Sequence, residues 1–225
     1  MLRGFEFDIA HTLSTSVLLL SFALLYQRRL AGVLEAFALQ AFFVAAAAAW
    51  QAYTQNAPHL FVTAAIALTF KGLIIPIALM RIVRRLNIHR SIETALGVNL
   101  TLLAGVGLVA LSIVLVFPVT AASGALTREN LALALSIVLL GLLMMITRRN
   151  AVTQVVGFMS LENGLILAAV GVKGMPLVVE MSIAFSVLIA FIVFGMFIFR
   201  IRERFDTLDL QYLERFRGER SRENP

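Results

Sequence analysis

Long apolar runs, separated by short polar or arginine-bearing stretches, organise the whole chain. Seven can be traced, over residues 9–26, 30–53, 59–86, 95–119, 131–147, 151–171 and 175–199. Each is near the roughly 17–25 residues that a helix needs to cross about 30 Å of hydrocarbon, and the third is long enough to run past the interface. Backbone polar groups in lipid must be satisfied within their own segment, and no alternating apolar–polar pattern points to a barrel, so the runs predict helices. The expected fold is an all-α integral membrane protein with seven transmembrane helices and no room for a soluble domain.

Composition supports that reading. The 225 residues are 60% hydrophobic and 14% charged, beyond what soluble domains carry, and the mean hydropathy is +0.91. Charge then orients the spans. Of the 19 basic residues, Arg28, Arg29, Arg81, Arg84, Arg85, Arg90, Arg148, Arg149 and the seven arginines from Arg200 onward follow the odd-numbered spans. Arg3, Arg128 and Lys173 fall on the other side, and Lys71 lies within a span. The arginine-rich side is expected to be cytoplasmic, which places the N-terminus outside and the C-terminus inside. Topology thus accounts for a sequence pI near 10.7 without a nucleic-acid partner. The first run does not read as a signal peptide, because Glu6 and Asp8 offset Arg3 and no small-residue cleavage pattern follows. The absence of cysteine excludes cysteine-ligated iron–sulfur clusters, c-type haem and disulfides. Three scattered histidines, His11, His59 and His89, argue against haem or zinc, so no cofactor and no metal is expected.

Smaller features fit a bundle in lipid. The alanines at 45–49 offer close helix contact, and Trp50 with Tyr53 marks a span end. Pro76, inside the third span, predicts a kink and a freed carbonyl near Lys71. The stretch Tyr26-Gln-Arg-Arg-Leu-Ala31 resembles Ile146-Thr-Arg-Arg-Asn-Ala151 at a spacing of 120 residues. Two parallel three-helix repeats would give this pattern; so would positive-inside bias alone, and both readings stand. The corresponding division is an N-terminal three-helix unit over 1–90, a connecting helix over 91–126, a second three-helix unit over 127–204 and a cytoplasmic tail over 205–225. Apolar residues interleaved with charges in that tail suit either a short amphipathic helix or a disordered segment.

Four ionisable residues inside the runs are candidates for proton movement. Glu162 is the foremost, because counting from Arg149 at about 1.5 Å per residue puts it roughly 20 Å into the hydrocarbon. An ionisable group there costs at least a few kcal/mol unless it is paired, protonated or wetted. Lys71 lies within the third span; its alternative role is a buried ion pair with Glu35 or Glu162, or contact with a partner subunit. Glu180 lies nearer the outer interface, and Glu35 is close enough to Arg29 to snorkel to the cytoplasmic side. Glu93 reads as a helix N-terminal charge, and Asn99, Asn163, Gln154 and Ser160 as polar groups holding helices together.

From Thr147 onward the chain resembles the K subunit of bacterial complex I and the C subunit of multisubunit sodium/proton antiporters. Arg148-Arg149-Asn150, Gly157, Glu162-Asn163, the basic exit at Arg200 to Arg204, Leu208-Asp209 and Arg217-Gly218 carry the likeness. With four preceding helices, the whole chain is similar to the membrane component E of hydrogenase-4 and related formate-hydrogenlyase complexes. The resemblance implies that Glu162 takes the place of the family's first intramembrane glutamate, on the proton pathway. The second glutamate would fall at Leu188, a departure that leaves Glu180, about two turns away, as the only acid in that helix. Shifted by 120 residues, Lys71 falls at Phe191, one turn from Leu188.

The resemblance further implies a subunit without redox centre or enzyme activity of its own, in the bacterial cytoplasmic (inner) membrane. Its expected partners are antiporter-like and quinone-site-like membrane subunits and the [NiFe] hydrogenase and iron–sulfur subunits of a peripheral arm. Two other classes remain open: a scaffold that packs membrane subunits together, and a free-standing secondary ion transporter.

Overall fold

The structure, a computed structural model, describes residues 2–85, 97–120 and 125–171, all within the first of two compact units, Met1–Ser186. The second unit, Val187–Pro225, lies outside the described residues, as do the seventh apolar run, Glu93, Glu180, His89, Leu188 and Phe191. The described residues form α1 (Leu2–Tyr26), α2 (Leu30–Gln55), α3 (Pro58–Ile66), a π-helix (Ala67–Ile74), α4 (Ile75–Arg85), α5 (Val98–Val119), α6 (Ala125–Thr147) and α7 (Ala151–Gly171). Among them, six helices are long and apolar enough to cross a membrane, one being the composite of α3, the π-helix and α4. They coincide with the first six runs read from the sequence.

Short connections make sequential helices antiparallel. Asn56 ends α2 in the left-handed region at φ 52°, a conformation asparagine tolerates, and Pro58 then starts α3 where its missing N–H costs nothing. At the other end, Asn150 accepts a hydrogen bond from the Val152 N–H at 2.8 Å and so caps the start of α7. Arg148, in the same turn, is buried and donates through Nη2 to the carbonyls of Leu24, Leu25 and Gln27, at 3.1, 2.6 and 2.9 Å. A cation there satisfies carbonyls that the end of α1 leaves open and meets the negative end of its dipole. Burial pushes the guanidinium below its ordinary value, although an arginine stays charged. The paired arginines of this turn therefore divide the work: Arg149 is exposed, and Arg148 locks two helices together.

Contacts at both ends fix helix direction. Ser14 meets Asn130 and Leu24 meets Arg148, so α1 and α6 run the same way. Gln40 meets Ser160 and Gln55 meets the Val170 carbonyl, so α2 and α7 do too. These four helices enclose the buried interior. The composite third span packs on α2, while α5 lies at the edge against α6 and α1 and exposes most of its apolar surface.

The tightest contact joins α6 and α7. A Cβ built on Gly141 would stand 2.5 Å from the Leu161 nitrogen and 2.8 Å from the Gly157 carbonyl oxygen, and one on Gly164 would stand 2.8 Å from the Ala134 carbonyl oxygen. Lipid tails are as apolar as leucine, so such helices associate through close packing rather than through escape from water, and small residues permit it. A methyl group at Gly141 must push the backbones apart, with a cost of about 1–3 kcal/mol. Gly141→Ala is expected to lower the thermal midpoint of the detergent-solubilised protein, whereas Gly107→Ala, where a Cβ meets nothing within 4 Å, leaves it unchanged.

Candidate functional site

The π-helix carries Lys71 into the interior. Pro76 has no N–H to offer the carbonyl four residues before it, and its ring crowds that turn. The segment just upstream adopts the wider π register, ending with the Ile75 N–H on the Phe70 carbonyl. The expected irregularity near Lys71 thus takes the form of a π-helix; such segments are rare and concentrate at functional sites.

Lys71 and Glu162 meet there. The Lys71 Nζ lies 3.1 Å from Glu162 Oε2, and each residue is only 1% exposed. Glu162 is the twelfth of the 21 residues of α7, near the middle of a span. Of the partners open to Lys71 on sequence grounds, Glu162 is the one it takes. Glu35 faces outward on α2 and stays outside the cluster.

A polar layer extends from this pair. Lys71 Nζ donates to Asn163 Oδ1 at 3.1 Å, and Asn163 Nδ2 donates to Gln40 Oε1 at 3.2 Å. Gln40 Nε2 in turn donates to Ser21 Oγ at 2.8 Å and to Ser160 Oγ at 3.0 Å, and Ser21 returns its proton to the Val17 carbonyl at 3.0 Å. All of these side chains are buried. The donors point away from Lys71 at every link, so the amides spread its positive charge into α2 and α1, and aligned bonds in an apolar interior reinforce one another. Carboxamides in such a chain orient charge; they do not pass protons along.

The layer joins α1, α2, the π-helix and α7. Asn163 and Ser160 hold helices together, as their sequence context suggested. Gln154 is exposed and bonds the Arg148 carbonyl at 2.9 Å, while Asn99 is exposed on α5. Gln40 and Ser21 were not singled out by sequence reasoning, although Gln40 is an amide deep inside the second run, 120 residues before Ser160. His11 pairs with Glu129 at 3.7 Å near a surface, and His59 is exposed. Among the described residues, no group of three or more histidine, aspartate or glutamate side chains gathers to hold a metal ion.

No protein-family signature and no solved structure matches the chain. A protein of Mycobacterium tuberculosis described as uncharacterized is 29% identical over 203 residues, covering 89% of this chain and 92% of its own length. Hydrogenase-4 component E of Escherichia coli K12 is 29% identical over 164 residues, covering 72% of this chain and 76% of that protein. The Shigella flexneri hydrogenase-4 component E matches to the same extent. This distant similarity supports the resemblance to the hydrogenase-4 membrane component; it does not bear on the complex I and antiporter subunits.

Breaking a buried pair from one side strands a charge at a cost of about 3–5 kcal/mol, whereas replacing both partners by neutral groups is close to neutral. Lys71→Met and Glu162→Gln are each expected to lower the yield of folded protein, and the double variant to recover it, as read by size-exclusion chromatography after solubilisation. A double variant no better than the worse single one would show that the two residues do not act as a pair.

Proposed function

We propose that the chain is a multi-pass membrane subunit of a proton-coupled hydrogenase complex of the formate-hydrogenlyase type, and that Glu162 is its proton-exchanging group with Lys71 as the coupled countercharge. The observation that carries this reading is the Lys71–Glu162 pair, buried at mid-span on two separate helices. The similarity to hydrogenase-4 component E supplies the kind of complex. The proposed setting is the bacterial cytoplasmic membrane, with the arginine-rich side inward, the 175–199 run as a seventh span and antiporter-like and peripheral hydrogenase subunits as partners. The chain itself has no cysteine for a thiolate-ligated redox centre, and its proposed part is charge and proton movement, without catalysis of its own.

The mechanism follows from the pair. While Lys71 is at 3.1 Å, its ammonium stabilises the Glu162 carboxylate. A charge change in an adjoining subunit that draws the ammonium away removes the countercharge at 3.1 Å, and the buried carboxylate is then poised to take up a proton. Return of Lys71 expels it. Uptake and release become directional when water reaches Glu162 from different sides in the two arrangements.

A repeat is part of the proposal. Gln40 and Ser160 are 120 residues apart and touch, as equivalent residues do beside a two-fold axis, and α1 with α2 runs parallel to α6 with α7. Lys71 maps onto Phe191 under the same shift, outside the described residues.

A scaffold reading has its own support, because the amide layer would tie the helices together without any transport. Glu162→Gln in the assembled complex separates the two. On the transport reading the complex that assembles, in whatever amount, shows hydrogen-driven proton translocation into sealed vesicles at a small fraction of wild type per unit of hydrogenase activity. Reduced complex whose remaining copies translocate normally per unit of hydrogenase activity would favour the scaffold and overturn the proposed role.

A further inference from the structure

Away from the ion pair, the four-helix interior opens into a small cavity at the end of the bundle near Asn56. It is lined by Ser14, Gln51 and Asn130 with Ala47, Leu167 and Gly171 among the small and apolar residues, and has room for about one water. Its walls are built for a polar occupant. Ser14 and Asn130 are both more than nine-tenths buried, yet the bond from Ser14 Oγ to Asn130 Oδ1 is stretched to 3.4 Å. That is well beyond the usual hydroxyl–oxygen separation of about 2.7–2.8 Å, so a water bridging the two replaces one weak bond with two good ones. Gln51 Oε1 accepts from Thr54 and Gln55, which leaves its NH2 group as a donor. Beside the cavity in sequence stand His11 and Glu129, a partly exposed pair.

Between this cavity and the ion-pair layer lies an apolar plug. On α1, Ser14, Val17 and Ser21 follow one another at helical spacing on one face; on α2 the same face carries Gln51, Val44 and Gln40. On α6 Asn130 gives way to Ile137, and on α7 Leu167 stands one turn from Asn163. Val17, Val44, Ile137 and Leu167 belong to one buried cluster. Seven residues of α1 separate Ser14 from Ser21, about 10 Å along the axis. Leu167 alone of these four both floors the cavity and joins the plug.

We infer that Ser14, Gln51 and Asn130 form a binding site for water or hydronium, the port of an access route along the α1–α2–α6–α7 axis, and that Leu167 is the gate separating it from Glu162. Wetting of the plug lets hydronium give its proton to a Glu162 carboxylate oxygen and leave as water, and the reverse step releases it. The direction of that traffic rests on the function proposed above; the port and gate do not.

The chain has no cysteine, so single cysteines report without background. Asn130→Cys and Ile137→Cys are introduced separately into the full chain in native membranes, and sealed vesicles of each orientation are treated with a small charged thiosulfonate. Asn130→Cys is expected to label from one face only, and Ile137→Cys from neither. Adding Leu167→Ala is expected to turn the Ile137 position from unlabelled to labelled from that same face, and Leu167→Met, which keeps the volume, to leave it closed. One-sided labelling of Asn130→Cys in the Leu167→Ala background checks that the bundle is intact. An Asn130 cysteine unreactive from both faces removes the port. An Ile137 cysteine that labels without the Leu167 change, or stays closed with it, removes the gate. Labelling reads water entry and not transport, so an inert Glu162→Gln phenotype would end the proposed proton role while this pattern stood, and the converse also holds.

Discussion

Two opposite charges at mid-span hold each other there. Either residue without the other would lose its countercharge at 3.1 Å, and the cost of a stranded charge at that depth exceeds what most single contacts return. The surrounding architecture serves that constraint. The π register ahead of Pro76 accommodates the lysine's helix, and α7 presents Glu162 and Asn163 on adjacent positions so that one ammonium meets both. The glycines of α6 and α7 bring those backbones into direct contact. Gln40 and Ser21 complete the set by absorbing the amide of Asn163 into two further helices.

The two ends of the bundle are treated differently. At the Arg148 end a buried guanidinium is spent on three carbonyls of α1, which fastens the second hairpin to the first and leaves α1 and α6 parallel. At the Asn56 end the buried Ser14 and Asn130 are neutral and the bond between them is stretched. One end is locked by charge and the other is left loose enough to hold water. A route that opens from one side at a time needs that inequality, because a bundle equally firm, or equally wet, at both ends would either never conduct or always leak.

Much of this was legible in the sequence, and the limits have physical causes. Run length alone located the six described spans, since lipid imposes both the length of a helix and its internal hydrogen bonding. Glu162 and Lys71 stood out for the same reason: charge is rare at that depth, so position alone marks it. Their partnership was legible only as one of two options, with Glu35 the other, because 91 residues separate them and nothing local in either span encodes which helices touch. Gln40 was harder still. A single amide in an apolar run reads like any helix-packing group, and only its simultaneous bonds to Asn163, Ser21 and Ser160 reveal it as the junction of the layer. Arg148 shows the reverse case, in which a topological bias placed an arginine at a span end and tertiary packing gave it a second task.

The asymmetry within the layer bears on how a charge can change without unfolding the site. Lys71 has two acceptors, Glu162 Oε2 and Asn163 Oδ1, and the second is a neutral oxygen held by the amide chain behind it. When Glu162 gains a proton it loses the stronger part of its attraction for the ammonium, but Lys71 keeps the bond to Asn163, and the dipoles of Asn163 and Gln40 still point their negative ends toward it. The site therefore supports a neutral total with the pair ionised and a single positive charge with Glu162 protonated, on the same set of helices. A layer built from the ion pair alone would hold the second state only weakly, because the ammonium would keep just the carbonyl oxygen of a neutral acid as its acceptor. On the proposed reading, the neutral amides, which carry no proton themselves, are thus what keep the ammonium bonded in both charge states.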